Sequence, residues 1–190
     1  MAIEIEKKYL LTLDVFAKIE NRLGEIGAVS RGEDFEENTI FSLQELTGKP
    51  GILRIRKTEK RILLTCKRRT PSITDSKHQV EYEVEVSDGE AMRDIILELG
   101  LTPSVVYEKR RRSWTIADAE VVLDVLPFGL YMEIEGTEHS IESIESMLEI
   151  EDLINEPRTY PGLTQLFGKQ IGNVFESRFA DISNENIRGN

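Results

Sequence analysis

Charged residues alternate with apolar residues along several short segments of this sequence. In an extended strand, that spacing places the charged residues on one face. The carboxylates with this spacing are Glu4, Glu6, Glu81, Glu83, Glu85, Asp124, Glu133 and Glu135. The cations with this spacing are Lys8, Arg54, Arg56, Lys67, Arg69, Lys109 and Arg111. For one strand alone, a solvated face is the ordinary interpretation, but acidic and basic residues segregated strand by strand favour a binding surface.

The chemistry that suits these two sets of residues is the handling of phosphate with a metal ion. Successive carboxylates on one strand face lie ~7 Å apart, and this crowding is costly unless cations compensate it. Mg²⁺ and Mn²⁺ prefer such oxygen ligands. Arginine binds phosphate bidentately and lysine supplies a point charge. A metal with a basic clamp is what phosphoryl transfer requires.

The elements that must position these residues follow from the apolar periodicity. The predicted strands are 3–11, 35–43, 52–58, 61–69, 79–86, 104–115, 119–126 and 130–136. The predicted helices are 14–27, 88–99, 140–149 and 163–171, with 44–51 as a loop. Ser87 and Glu90 have capping-box spacing at the start of the second helix.

These elements predict an α+β protein built on an antiparallel sheet or barrel, since strands and helices do not alternate strictly. The strand faces opposite the charged ones are mainly apolar, and the amphipathic helices are expected to cover them. We expect a single domain over 1–180 and a disordered tail over 181–190.

Composition excludes several classes of function. The 190 residues carry a net charge of −11, which opposes binding to bulk nucleic acid. Cys66 is the lone cysteine, and the two histidines, His78 and His139, are far apart; a zinc site is therefore not expected. The sequence shows neither a signal peptide nor a membrane-spanning segment, so a cytoplasmic location is expected.

Several motifs together resemble a known family, the CYTH proteins or triphosphate tunnel metalloenzymes. The N-terminal Glu4-Ile5-Glu6-Lys7-Lys8 matches the family's ExExK signature. The later motifs, in family order, are Leu53-Arg54-Ile55-Arg56, Leu64-Thr65-Cys66-Lys67-Arg68, Glu81-Tyr82-Glu83-Val84-Glu85, Glu108-Lys109-Arg110-Arg111, Leu123-Asp124 and Glu133-Ile134-Glu135-Gly136. They extend over residues 1–136.

The resemblance implies an eight-stranded antiparallel β-barrel that forms a tunnel, with helices packed on the outside. It implies metal ligation, by Mg²⁺ or Mn²⁺, at Glu4, Glu6, Glu133 and Glu135. It implies phosphate binding by Lys8, Arg54, Arg56, Lys67, Lys109 and Arg111. Glu81, Glu83 and Asp124 are the expected catalytic residues, assisting the metal or positioning water. Tyr160 closes one tunnel mouth or packs in the core, and both readings stay open.

The family acts on small triphosphates, so inorganic triphosphate, thiamine triphosphate and ATP are the expected substrates. Hydrolysis is the leading hypothesis. The alternative is a class IV adenylyl cyclase that converts ATP to cyclic AMP and pyrophosphate. Residues 128–132 and 159–163 resemble elements of that branch. A second alternative is a non-catalytic polyphosphate or nucleotide binder. A homodimer is common in the family, and the sequence leaves the oligomeric state open.

Overall fold

The computed structural model describes residues 2–48, 50–70 and 76–181, and the side chains of residues 2–4, 45, 46, 69, 70 and 181 lie outside that description. The strands are β1 (Ala2–Leu11), β2 (Val29–Ser42), β3 (Ile52–Lys57), β4 (Ile62–Thr70), β5 (Lys77–Val86), β6 (Pro103–Ile116), β7 (Ala119–Leu126), β8 (Gly129–Glu135), β9 (Lys169–Ile171) and β10 (Val174–Ser177). The helices are α1 (Leu13–Glu25), α2 (Gln44–Thr47), α3 (Gly89–Glu98), α4 (Glu138–Leu148) and α5 (Tyr160–Phe167), and a 3₁₀ turn follows at Phe179–Asp181. Apart from the backbone of Asp181, the predicted tail lies outside the described residues.

Strands β1 to β8 form a closed ring in which neighbouring strands run antiparallel. The order around the ring is β2-β3-β4-β5-β1-β8-β7-β6, and β6 pairs back with β2. Closure leaves these strands without an open sheet edge. The predicted α+β fold with an eight-stranded antiparallel barrel is confirmed.

Strand β2 is longer than predicted, since it begins at Val29 rather than at residue 35. Its pairing with β6 shifts register between Ser30 and Gly32 and again near its end. Gly32 adopts φ +94, a left-handed conformation that glycine reaches without strain. The extra length brings Asp34 onto the inner face of the barrel, where Glu36 of the predicted part of the strand also lies.

The apolar outer face of the barrel is packed against helices, as predicted. Helices α1 and α4 lie together over β1 and β8. Their buried contacts are Phe16, Ile19, Leu23, Ile141, Ile144 and Leu148, and each such side chain contributes about 1.5–3 kcal/mol when fully buried. Helix α3 covers β3 through Ile96 and Met92. The outer face of β5 departs from the prediction, because Tyr82 and Val84 remain more than half exposed.

Local capping explains where the helices begin. Thr12, Thr137 and Thr159 each accept a hydrogen bond from a backbone N–H of the first turn. The predicted cap at Ser87 is wrong: Asp88 caps α3 by accepting from the backbone of Glu90 and Ala91, since a carboxylate one residue later reaches both donors. The short helix α2 replaces part of the predicted loop 44–51. No helix among the described residues is long and apolar enough to cross a bilayer.

The C-terminal part of the chain adds two strands that the sequence pattern did not predict. Strand β10 pairs in parallel with β6 at Val105–Tyr107, and β9 pairs with β10. The helix predicted at 163–171 lies at Tyr160–Phe167 instead. It ends at Gly168, where a Cβ atom would come within 2.5 Å of the Glu176 carbonyl oxygen. A residue with a side chain would therefore displace the β9–β10 hairpin.

Candidate functional site

The inner face of the barrel encloses a cavity of about 640 Å³. The predicted site residues that line it are Glu6, Lys8, Arg54, Arg56, Lys67, Glu81, Glu83, Lys109, Arg111, Glu133 and Glu135. Asp124 lies beneath the cavity wall with no exposed surface. The side chain of Glu4 is outside the described part of the chain, while its backbone pairs with Gln79. The structure thus brings the predicted cations and carboxylates from six strands into one space.

An apolar cluster fills one end of the barrel interior. Ile40, Tyr107 and Tyr131 meet Tyr160 and Leu163 of α5 there. Thr159, Tyr160 and Pro161 form the wall of the cavity at this end. The buried cluster closes this end of the cavity at the start of α5.

Asp124 links two of the predicted phosphate-binding cations. Its carboxylate accepts hydrogen bonds from Arg111 Nη2 at 2.6 Å, Arg111 Nε at 2.8 Å and Lys109 Nζ at 3.2 Å. Burial opposes the charge of Arg111, yet Asp124 holds the pKa of Arg111 well above its ordinary value. Burial and the Arg111 charge lower the pKa of Lys109 to about 8. The two cations are therefore held in fixed positions, and Lys109 loses its proton more readily than Arg111.

Glu36 forms the second acidic partner of the cations. The carboxylate is buried and lies 3.3 Å from Arg56 Nε and 3.4 Å from Lys109 Nζ. Burial raises the pKa of Glu36, but Lys109 and Arg56 outweigh that effect and lower it below its ordinary value. Glu36 is not among the site residues predicted from the sequence.

Arg54 is a cation whose side chain has a buried nitrogen without a hydrogen-bond partner among the described residues. Its Nη2 donates to Thr65 Oγ1 at 3.1 Å and lies 3.6 Å from both Glu81 Oε1 and Glu83 Oε2. Its Nε is buried and has no hydrogen-bond partner among the described residues. Burial and the Arg56 charge lower the pKa of Arg54. An unsatisfied buried donor costs about 1–3 kcal/mol, which an anionic oxygen in the cavity would offset.

The remaining predicted carboxylates lie on β1 and β8. Glu135 is opposite Glu6 on one side and Glu120 on the other. Burial raises the pKa of Glu135, and the charges of Glu120, Glu6 and Glu81 raise it further against the effect of Lys67. Glu6 pairs with Lys77 at 3.2 Å, while Glu133 pairs with Lys8 at 3.1 Å and Arg111 at 2.6 Å. Within the described residues, no three potential ligand side chains are grouped closely enough to hold a metal ion in this arrangement.

Comparisons with known proteins agree with this geometry. A sequence model of the CYTH domain matches residues 2–160. This chain belongs to the CYTH family. A Methanocaldococcus jannaschii protein named as a candidate adenylate cyclase is 29% identical over 161 residues, which cover 80% of this chain and 90% of that protein.

Solved structures share the CYTH fold of this chain. The PH1012 protein of Pyrococcus horikoshii superposes with a TM-score of 0.72 at 25% identity, covering 83% of this chain and 96% of its own. A candidate adenylyl cyclase from Hippeastrum, HpAC1, described as having a dominant triphosphatase activity, gives 0.63 at 17% identity over 91% and 99% of the two chains. The second likeness shows the fold alone.

Several polar residues of this CYTH site were missed in the sequence. Glu36 and Glu120 follow the same alternation as their predicted neighbours, so strand parity could have found them. Lys77 begins β5 with its side chain almost fully buried, and burial and the Lys8 charge lower its pKa. It was missed because the predicted strand began two residues later. Thr65 was overlooked because a lone hydroxyl carries no charge pattern.

The structure separates the predicted catalytic carboxylates by environment. Glu81 is held in an ion pair with Lys67 and lies mostly buried. Glu83 accepts from Thr65 Oγ1 at 2.9 Å and remains about one-third exposed. Asp124 is buried among cations, as described above, and lies apart from the cavity surface. Glu85 is exposed and does not line the cavity.

Proposed function

We propose that this CYTH protein binds a small triphosphate end-on in the barrel cavity and hydrolyses it with the help of a divalent cation. The observation that carries the proposal is the buried, unpartnered Nε of Arg54 beside the other inward cations. Three successive phosphate groups supply enough acceptor oxygens for Arg54, Arg56, Lys109 and Arg111. The triphosphatase activity described for HpAC1 agrees with this assignment.

Binding of the phosphate chain exchanges partners inside the cavity. Arg56 and Lys109 now contact Glu36, and Arg111 and Lys8 contact Glu133. Phosphate oxygens take over part of these contacts, which leaves the Glu133 carboxylate available beside Glu135. The cations are already in place, so little side-chain entropy is lost on binding.

The carboxylates Glu6, Glu133 and Glu135 fit a divalent cation by their chemistry. Their oxygens are the ligands that Mg²⁺ and Mn²⁺ prefer. Burial raises the pKa of Glu135, and the charges of Glu120 and Glu6 raise it further, so a cation would relieve this crowding. Glu4, on the same face by sequence, completes the proposed set. When bound, the ion supplies charge neutralisation and Lewis-acid activation of the phosphate.

Glu83 is the residue that we assign to the attacking water. It is partly exposed and fixed by Thr65 and Arg54, whereas Glu81 is held by Lys67. The water oxygen bonds to the terminal phosphorus as the bridging P–O bond breaks, and diphosphate leaves. The water proton passes to the Glu83 carboxylate, which acts as the general base.

Adenylyl cyclisation is the second candidate, because the Methanocaldococcus relative is named for that activity. It requires a nucleoside held reproducibly beside the phosphates. Among the described residues that line the cavity, the aromatic ones are Tyr107 and Tyr160. Both lie at the closed end, away from the mouth where a nucleoside would project. This placement favours hydrolysis.

A product assay separates the candidates. The protein is incubated with Mg²⁺, Mn²⁺ or a chelator, and with inorganic triphosphate, thiamine triphosphate or ATP. We expect metal-dependent phosphate release, lost in Glu6→Gln and retained in Lys18→Ala, a control at an exposed cation of α1. Cyclic AMP and pyrophosphate from ATP would establish the cyclase instead. Triphosphate binding without turnover under every metal condition would make the protein a binder.

A further inference from the structure

A short segment, residues 158–160, contacts cations from three strands at the closed end of the cavity. The Arg158 carbonyl oxygen accepts from Lys8 Nζ at 3.2 Å and from Lys77 Nζ at 3.5 Å. The Tyr160 ring centroid lies 3.7 Å from Lys8 Nζ and 5.1 Å from Lys109 Nζ. Two residues of one segment thus touch cations of β1, β5 and β6.

The hydroxyl of Tyr160 extends this contact to Asp124. It donates a hydrogen bond to Asp124 Oδ2 at 2.7 Å, the same oxygen that accepts from Lys109 and from Arg111 Nη2. A buried carboxylate with a third fixed donor has fewer alternative orientations. The positions of Lys109 and Arg111 therefore depend on Tyr160 through Asp124.

The Tyr160 ring is itself held rigidly. It packs edge-on against Tyr131 with centroids 5.6 Å apart and against Tyr107 at 6.1 Å. Its carbonyl oxygen accepts from the Thr164 hydroxyl at 2.8 Å within α5, and Thr159 caps the helix just before it. The ring can therefore act as a fixed platform rather than as a mobile contact.

We propose that Tyr160 is a positioning residue for the phosphate site, holding Lys8 with its ring and Lys109 and Arg111 through its hydroxyl. The proposal rests on the triphosphate function proposed above. A cation over an aromatic face in a desolvated site is held with appreciable energy, and a hydrogen bond to a charged group is stronger than a neutral one. If Tyr160 served only to fill space, its ring would be needed and its hydroxyl would not.

The test compares two Tyr→Phe variants in the same apolar cluster. Tyr160→Phe removes the bond to Asp124 and keeps the ring. Tyr131→Phe is the matched control, because its hydroxyl has no hydrogen-bond partner among the described residues and its ring is equally buried. For inorganic triphosphate we expect Tyr160→Phe to raise KM roughly tenfold with kcat changed less than about twofold. Tyr131→Phe should leave both constants within about twofold of wild type.

A structural role alone would lower the active fraction, and so kcat, without moving KM. Tyr160→Leu also removes the ring beneath Lys8, and we expect a further loss of roughly tenfold in affinity. Should that variant fail to fold, as judged by circular dichroism, Tyr160→Phe still decides. Equal KM values for Tyr160→Phe, Tyr131→Phe and wild type would overturn the proposal.

Calorimetric binding of inorganic triphosphate separates this inference from the proposed function. If wild type binds triphosphate but releases no phosphate, the hydrolase function fails. The role of Tyr160 is then judged by the dissociation constant, which should rise roughly tenfold in Tyr160→Phe alone. If wild type does not bind triphosphate, both proposals are overturned.

Discussion

The cations and the carboxylates of the barrel cavity are arranged in opposite ways. The inward cations of β3 and β6 lie against the buried acids Glu36 of β2 and Asp124 of β7, so that Lys109 lies within 3.4 Å of both acids. On β1, β7 and β8, Glu6, Glu120 and Glu135 are neighbours in register, and Glu135 has a raised pKa. The positive charge of the cationic wall is offset by its acids. On the acidic wall, Glu6 pairs with Lys77, but Glu135 lies between two other carboxylates.

This difference indicates how each wall treats a ligand. The side chains of the cationic wall are already held in place by ion pairs. An incoming anion must compete with Glu36 and Glu133 for these cations. The acidic wall is electrostatically strained, which a bound cation relieves. Anion binding is therefore favoured by the fixed geometry of the cationic wall. Metal binding is favoured by the negative charge of the acidic wall.

The substitution expected to disrupt the cationic wall most is Asp124→Asn. The substitution keeps the shape but leaves Lys109 and Arg111 buried together without their shared counter-charge. Removing one partner of a buried ion pair costs about 3–5 kcal/mol, and we expect a loss of that size in the free energy of unfolding, measured with urea. Glu25→Gln, which removes an exposed partner of Arg22, is the control, with an expected change below about 0.5 kcal/mol. Equal unfolding midpoints for the two variants would show that Asp124 does not organise this wall.

A milder change tests whether the same wall binds phosphate. Arg56→Ala removes a cation that lies mostly buried and contacts Glu36 and Asn38. We expect the affinity for inorganic triphosphate to fall roughly tenfold, since a charge-assisted contact is lost. Arg93→Ala, at a half-exposed cation of α3 outside the barrel, should leave affinity unchanged. If calorimetry shows the same dissociation constant for both variants, Arg56 does not belong to the clamp.

The smallest expected effect concerns pH. The pKa of Lys109 is about 8 in the folded protein against an ordinary 10.5, so Lys109 loses its charge as pH rises through about 8. Triphosphate affinity should decline there by a few-fold in the wild type, and Lys109→Arg should shift that decline to higher pH. Between about 8 and 10.5 the unfolded chain binds more protons at this residue, so the Lys109 contribution to folding stability rises with pH. If triphosphate affinity depends on pH in the same way in wild type and Lys109→Arg, Lys109 is not the group whose proton loss weakens binding.

Much of the fold and the site follows from strand parity. Once a strand was placed, alternation assigned Arg54, Arg56, Lys109 and Arg111 to one face, and barrel closure turned that face inward. Errors arose at strand ends, where alternation gives no boundary: the predicted β2 began too late to include Asp34. Lys77 was missed for the same reason.

Other features depend on contacts that no local pattern encodes. The pairing of β10 with β6 joins residues about seventy positions apart. The bond from Tyr160 to Asp124 joins α5 to β7, so the sequence left the role of Tyr160 open between closure and packing. The pairing of Glu133 with Lys8 and Arg111 also arises only when three strands meet.

Calorimetry of two variants tests whether the two walls bind different ligands. Mn²⁺ and inorganic triphosphate are each titrated alone into wild type, Glu135→Gln and Arg56→Ala. We expect Glu135→Gln to weaken Mn²⁺ binding and to leave metal-free triphosphate binding intact or improved. Arg56→Ala should weaken triphosphate binding and leave Mn²⁺ binding intact. Equal losses of both ligands in both variants would contradict the division of the cavity into a phosphate wall and a metal wall.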